Sequence, residues 1–203
     1  MSNKVYEYLI SNLRAFPCTI TVFNIIAGLL FNNPTYLFFG IYVFICDCIA
    51  ALMKKGTKNL YKLFNTDYLP ILGYGTRPKG ATYCGCFITE SNLKGITTSY
   101  GMPSGHSIMA GITFIFWYYY LMDNTKDEKK RRRQIILLAI ICGAVMFSRI
   151  YLKCHTIQHV IVGAAIGFGF GHIGYHYFYK EYMQFLKNQD FISLNQNDND
   201  TNA

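Results

Sequence analysis

The chain has 203 residues, enough for one domain, with 52% hydrophobic and only 15% charged. That balance is too lean in charge for an ordinary soluble protein and too apolar for a disordered one. A net charge of +8 raises nucleic acid as a partner, but the basic residues cluster in short loops between apolar runs, which points to a membrane surface and away from nucleic acid.

Taken in chain order, five apolar stretches stand out, at about residues 17–31, 36–53, 104–122, 134–152 and 156–178. A helix needs about 20 residues to span a bilayer. The last three stretches meet that length, whereas the first two are shorter or interrupted by Asp47. The first follows a polar start and lacks a cleavage site, so it reads as a retained helix rather than a signal peptide. Residues 58–73 form a marginal sixth crossing, interrupted by Lys58, Lys62 and Asp67 and with Pro70 near its end. Its alternative is a helix lying in the interface. The loop 74–102, with five glycines and Pro78, is too irregular to cross lipid. Residues 188–203 are rich in Asn and Asp and read as a disordered tail behind a membrane domain spanning 1–187. The expected fold is all-α, an integral membrane bundle of about six transmembrane helices with its active site at one membrane face.

Charge counting favours six crossings. With the N-terminus cytoplasmic, the inner segments hold Lys4, Arg14, Lys54, Lys55, Lys58, Lys62, Lys126, Lys129, Lys130, Arg131, Arg132, Arg133, Lys180 and Lys187, fourteen of the nineteen basic residues. The other five are Arg77, Lys79, Lys94, Arg149 and Lys153. This arrangement puts the loop 74–102 on the lumenal or extracellular side. It puts the acceptor pattern Asn199-Asp200-Thr201 in the cytoplasm, where it stays unglycosylated. Without a crossing at 58–73, the N-terminus changes sides.

Among the seven cysteines, Cys46, Cys48 and Cys142 lie in apolar runs and read as packing residues. Cys84 and Cys86 share a loop, where a one-residue gap argues against a mutual disulfide. There is no Cys-x2-Cys zinc spacing. His155 and His159 are four residues apart, as are His172 and His176, and each pair could hold a metal from one helix face. The pairs stand roughly 25 Å apart along a helix rising about 1.5 Å per residue, so they cannot form one site. His172 and His176 read as packing or interfacial residues, and Gly163, Gly167 and Gly171 as a close-packing face.

Three short polar clusters sit at the ends of apolar runs: Arg77-Pro78, Pro103-Ser104-Gly105-His106, and Ser148-Arg149 followed after five residues by His155. Two imidazoles can divide the roles of nucleophile and proton donor. Guanidinium groups and a turn rich in backbone N–H bind phosphate oxygens. A charge ending an apolar run, as Arg149 does, is costly unless it is paired or functional.

In order and spacing these clusters resemble the three-part signature of the type 2 phosphatidic acid phosphatase and vanadium haloperoxidase superfamily: Lys-x6-Arg-Pro, Pro-Ser-Gly-His, and Ser-Arg-x5-His-x3-Asp. The resemblance implies that His155 is the nucleophile, forming a phosphohistidine. It implies that His106 protonates the leaving group and then activates water, and that Arg77 and Arg149 clamp the phosphoryl oxygens. Ser104 and the N–H of Gly105 would add donors at a helix N-terminus. No metal or other cofactor is implied. Two positions depart from the pattern. The signature lysine falls on Pro70, with Lys79 or Lys62 as replacements, and the signature aspartate falls on His159, whose neutral ring could accept the same hydrogen bond from the nucleophile. The expected substrate is a lipid-linked phosphate or diphosphate. Tyr100-Gly101-Met102-Pro103-Ser104, and Ser148-Arg149-Ile150-Tyr151-Leu152 leading to His155-Thr156, resemble the dolichyl diphosphatase branch, which points to a polyisoprenyl diphosphate. Phosphatidate is the alternative substrate. The rival readings are a non-catalytic lipid-binding or scaffolding membrane protein, and a histidine-ligated metal protein.

Overall fold

The computed structural model describes residues 3–81, 85 and 99–189. The expectations for Cys84, Cys86, Lys94 and Asn199 fall outside these residues. Among the described residues five helices make up the fold: α1 (Asn3–Leu30), α2 (Pro34–Leu63), α3 (Gly105–Asn124), α4 (Glu128–Tyr151) and α5 (Ile157–Gln189). α5 carries one π-helical segment at Gly174–Tyr179. A two-residue hairpin, β1 (Tyr68–Leu69) paired antiparallel with β2 (Gly73–Tyr74), follows α2. All of these helices except α3 are long and apolar enough to cross a membrane, which makes this an integral membrane protein.

The sixth crossing expected at 58–73 is absent. α2 continues unbroken through Lys54, Lys55 and Lys58 and ends at Leu63, and Pro70 falls between β1 and β2. The helix starts cleanly because Pro34 occupies its first turn and the Asn33 side chain accepts from the N–H groups of Thr35 and Tyr36. Its 30 residues span about 45 Å, against an apolar bilayer core of about 30 Å. Its lysine-rich last turns therefore belong to the interface, and the lysines end this helix rather than starting another.

The helices alternate in direction. At one end, His106 of α3 contacts the Arg14 carbonyl of α1, and Thr57 of α2 donates to the Met102 carbonyl just before α3. At the other, Thr35 of α2 meets Tyr179 of α5, and Asp123 of α3 pairs with Lys180 of α5. Asn3 and Gln189 thus lie at opposite ends. Lys4, Arg14, Lys54, Lys55, Lys58 and Lys62 move to the motif end. Only eight basic residues stay at the other: Lys126, Lys129, Lys130, Arg131, Arg132, Arg133, Lys180 and Lys187. The charge count no longer selects an orientation.

α3 is the central helix and touches all four others. Its buried Ile108, Met109, Ile112 and Phe116 pack with Phe39, Val43, Cys46 and Ala50 of α2 and with Tyr175 and Tyr179 of α5. α3 and α5 run parallel and in register. A Cβ on Gly163 would meet the Ser104 carbonyl at 2.6 Å, one on Gly171 would meet the Ile112 carbonyl at 2.9 Å, and one on Gly167 would collide with the Ile108 carbonyl. The expected glycine face is thus a backbone-to-backbone contact, and it sets the first turns of α3 and α5 side by side.

Candidate active site

The motif end of the bundle is assembled from two parallel helix starts, one helix end and a pinned loop. Ser104 caps α3, its hydroxyl accepting from Ser107, and Thr156 caps α5, accepting from the His159 N–H. The Ser104 N–H donates to the His159 carbonyl at 3.1 Å, tying the two starts together. Helix N-termini carry partial positive charge and favour anions. α4 arrives from the other direction with the fully buried Arg149 in its last turn. Lys153 adopts a left-handed backbone (φ 53°), and the N–H groups of Cys154 and His155 both return to the Arg149 carbonyl, at 2.9 and 3.0 Å. This tight turn folds His155 back beside Arg149.

Arg77 enters through the loop. Its N–H bonds the Ser99 carbonyl and the Gly101 N–H bonds the Gly75 carbonyl, at 3.3 and 2.9 Å, so the Arg-Pro segment runs beside the Pro-Ser-Gly-His segment. The Arg77 side chain donates to Ser99 Oγ at 3.0 Å and to the Cys154 carbonyl at 2.7 Å, and its Nη1 lies 3.4 Å from His155 Nε2. Because a guanidinium only donates, Nε2 of His155 carries the lone pair and the ring proton sits on Nδ1. Burial, then the charges of Arg77, Lys54 and Arg149, holds the His155 pKa far below the ordinary histidine range, leaving a neutral imidazole with its lone pair beside Arg77.

His159 does not make the expected hydrogen bond to the nucleophile. The two rings are edge-to-face with centroids 5.6 Å apart. His159 Nε2 instead donates to the Tyr74 carbonyl, which puts the lone pair on Nδ1. Nδ1 of His155 and Nδ1 of His159 are both buried with no hydrogen-bond partner among the described residues. One is a donor and the other an acceptor, so their protonation states complement each other across an unmade bond. Gly101 leaves room for this pair, since a Cβ there would lie 2.7 Å from His159 Nδ1 and 3.0 Å from Arg77 Cγ.

His106 is buried, and its Nε2 donates to the Arg14 carbonyl at 2.8 Å, leaving Nδ1 for proton transfer. No described hydrogen bond links it to His155, Arg77 or Arg149. The Ser104 hydroxyl is fully buried and engaged with Ser107, whereas the space beside Gly105 is open. Lys79 and Lys62 are both exposed, and no described contact ties either to the cluster. Pro70 is likewise exposed, between the two hairpin strands.

Two residues of this cluster were not singled out as site residues from the sequence. Lys54 is half-buried and close enough to Arg77 and Arg149 for their charges to act on it. It shares a helix face with Thr57 and Tyr61, which bond the Met102 and Gly73 carbonyls at 2.7 and 2.8 Å. The signal was that i, i+3, i+7 spacing, which has meaning only once α2 is known to extend that far. Cys154 is fully buried and disulfide-bonded, and its sulfur accepts from Arg149 Nη2 at 3.0 Å. Its bonding partner lies outside the described residues. The far histidines take the packing role expected of them: His172 Nδ1 bonds Tyr119 at 3.1 Å, and the Tyr119 and His176 rings are 4.5 Å apart.

This end of the protein thus gathers two guanidinium groups, an ammonium and a neutral imidazole lone pair, an arrangement suited to a tetrahedral oxyanion. Residues 36–183 match the family described as the PAP2 superfamily. No curated protein matches the chain, and no solved structure does.

Proposed function

The chain belongs to the PAP2 superfamily, and from that premise we propose that it is a metal-independent phosphatase hydrolysing lipid-linked phosphate or diphosphate through a phosphohistidine. The observation that carries the reading is the 3.4 Å approach of Arg77 Nη1 to the unprotonated Nε2 of His155, with Arg149 buried beneath the same turn. In the first step His155 Nε2 attacks the terminal phosphorus and the bond to its leaving oxygen breaks, the lipid oxygen of a monophosphate or the bridging oxygen of a diphosphate. His106, protonated on Nδ1, gives its proton to that oxygen. In the second step His106 takes a proton from water, hydroxide attacks the phosphohistidine, and phosphate leaves with His155 restored. Arg77, Arg149 and the Gly105 N–H stabilise the transferring group. Lys54 takes the place of the signature lysine, and Lys79 guides the anion from outside.

The preferred substrate class is a polyisoprenyl diphosphate, on the motif likeness to the dolichyl diphosphatase branch, with phosphatidate second. The site opens to the lumenal or extracellular side. The disulfide at Cys154 supports this, since such bonds persist in oxidising compartments. A glycosylation acceptor engineered into 82–98 should be modified in microsomes.

The deciding experiment measures phosphate release from a panel of lipid phosphates and diphosphates in detergent, with wild type and His155→Ala, and traps the phosphoenzyme. Turnover that survives EDTA, with an acid-labile label that disappears in His155→Ala, supports the proposal. A label retained in His155→Ala excludes His155 as nucleophile. The unpartnered Nδ1 of His155 favours a second reading, a lipid-binding relative without turnover. Tight binding of the same lipids with no phosphate released would establish it.

A further inference from the structure

Cys154 belongs to none of the signature positions, yet both phosphate-clamp arginines rest on it. Its carbonyl accepts from Arg77 Nη1 at 2.7 Å, its sulfur accepts from Arg149 Nη2 at 3.0 Å, and its N–H returns to the Arg149 carbonyl at 2.9 Å. The residue is fully buried, next to His155, and its sulfur is committed to a disulfide. A guanidinium on a flexible side chain binds an oxyanion in two-point fashion only when its plane is fixed. The covalent bond holds the sulfur, and the sulfur is one of the contacts that hold that plane.

We propose that disulfide-bonded Cys154 is a positioning residue for the oxyanion site, acting through Arg149, so that the site is fully formed only when the disulfide is intact. The proposal rests on the phosphatase reading for its substrate but concerns oxyanion affinity, which is measured without turnover. Opening the bond takes two electrons and two protons from a dithiol. The S–S bond breaks, two protein thiols form, and the reductant closes to its own cyclic disulfide. The Arg77 contact is to main chain and survives this chemistry, whereas the Arg149 contact is to the sulfur that this chemistry releases.

The test is a double-mutant cycle on tungstate affinity, tungstate being a tetrahedral oxyanion that needs no hydrolysis to report. Cys154→Ser and Cys154→Ala should each weaken tungstate binding about tenfold in the wild-type background, the scale of one charge-assisted hydrogen bond. In an Arg149→Lys background the same substitutions should change it by less than about twofold, because the partner through which Cys154 acts is gone. A staple that merely holds the loop predicts equal losses in both backgrounds, and that result overturns the proposal, as does no loss in either. Where a cysteine variant fails to fold, dithiol reduction of the wild-type and Arg149→Lys proteins, confirmed by thiol alkylation, gives the same comparison. Redox-dependent tungstate binding without lipid hydrolysis would sink the phosphatase reading and leave this one standing. Absence of tungstate binding by the oxidised protein overturns both.

Discussion

The two ends of this bundle each hold a histidine pair with the same four-residue spacing, and they differ in everything else. At the far end His172 and His176 pack edge-to-face with Tyr119, and Asp123 offsets Lys180 in an ion pair at 3.1 Å. At the motif end His155 and His159 are buried beneath Arg77, Arg149 and Lys54, and each keeps an Nδ1 without a partner among the described residues. A balanced, packed cluster is finished as a structure. A buried cluster of excess positive charge, with an N–H on His155 still unmatched, has the character of an anion site. Spacing places a histidine pair, but its surroundings decide whether it packs or reacts.

The largest test of this contrast is removal of one imidazole from each end. His155→Ala should lower kcat by about 10,000-fold or more. His172→Ala and His176→Ala should each leave it within about twofold. Comparable losses at both ends, measured as phosphate release, would erase the distinction. Next come the cations. Arg149→Lys should cost about 100-fold in kcat/KM because lysine lacks the planar fork. Lys180→Ala, which removes an exposed ion pair and a contact with the Tyr175 ring at the far end, should leave kcat/KM unchanged. Within the motif end, Lys54→Ala should cost about tenfold in kcat/KM and Lys79→Ala less than about twofold, on the scale of one charge-assisted hydrogen bond. The reverse order would return the anion-binding role to the loop.

The smallest effect is a displacement of the pH profile. The His155 pKa is lowered by burial and by Arg77, so the nucleophile stays neutral and the acid limb of kcat/KM should fall below the ordinary histidine value of about 6.5. Arg77→Gln, besides lowering the rate, should move that limb upward. The same shift sets the sign for stability. As pH drops through the ordinary histidine range the unfolded chain takes up a proton that folded His155 refuses, so stability declines toward acid. A thermal melt that rises on acidification through that range would contradict the assignment.

How far the sequence reached depended on how local each feature is. The clusters at Arg77, Ser104–His106 and Arg149–His155 were legible because they are short and sit at helix ends. Residues 163–171 were legible because glycine every four residues has one common use in lipid. What failed was the reading of 58–73, where apolar and basic residues alternate too finely for composition to separate a helix end from a new crossing. That failure hid Lys54, whose approach to Arg149 depends on α2 running unbroken to Leu63. Cys154 was invisible for a different reason. Its neighbours Arg77 and Arg149 reach it through a carbonyl and a sulfur, and neither contact leaves a pattern in residue type. The His159 exchange could be read as a neutral acceptor, but its tautomer is set by the Tyr74 carbonyl, a partner 85 positions away.

Among the described residues the helices run in alternate directions, so Asn3 stands at the motif end of the bundle and Gln189 at the other. A tag joined before Asn3 is therefore carried on the same end as the histidine–arginine cluster, and one joined after Gln189 on the end away from it. Capture of the protein through the second leaves the cluster facing outward from the support.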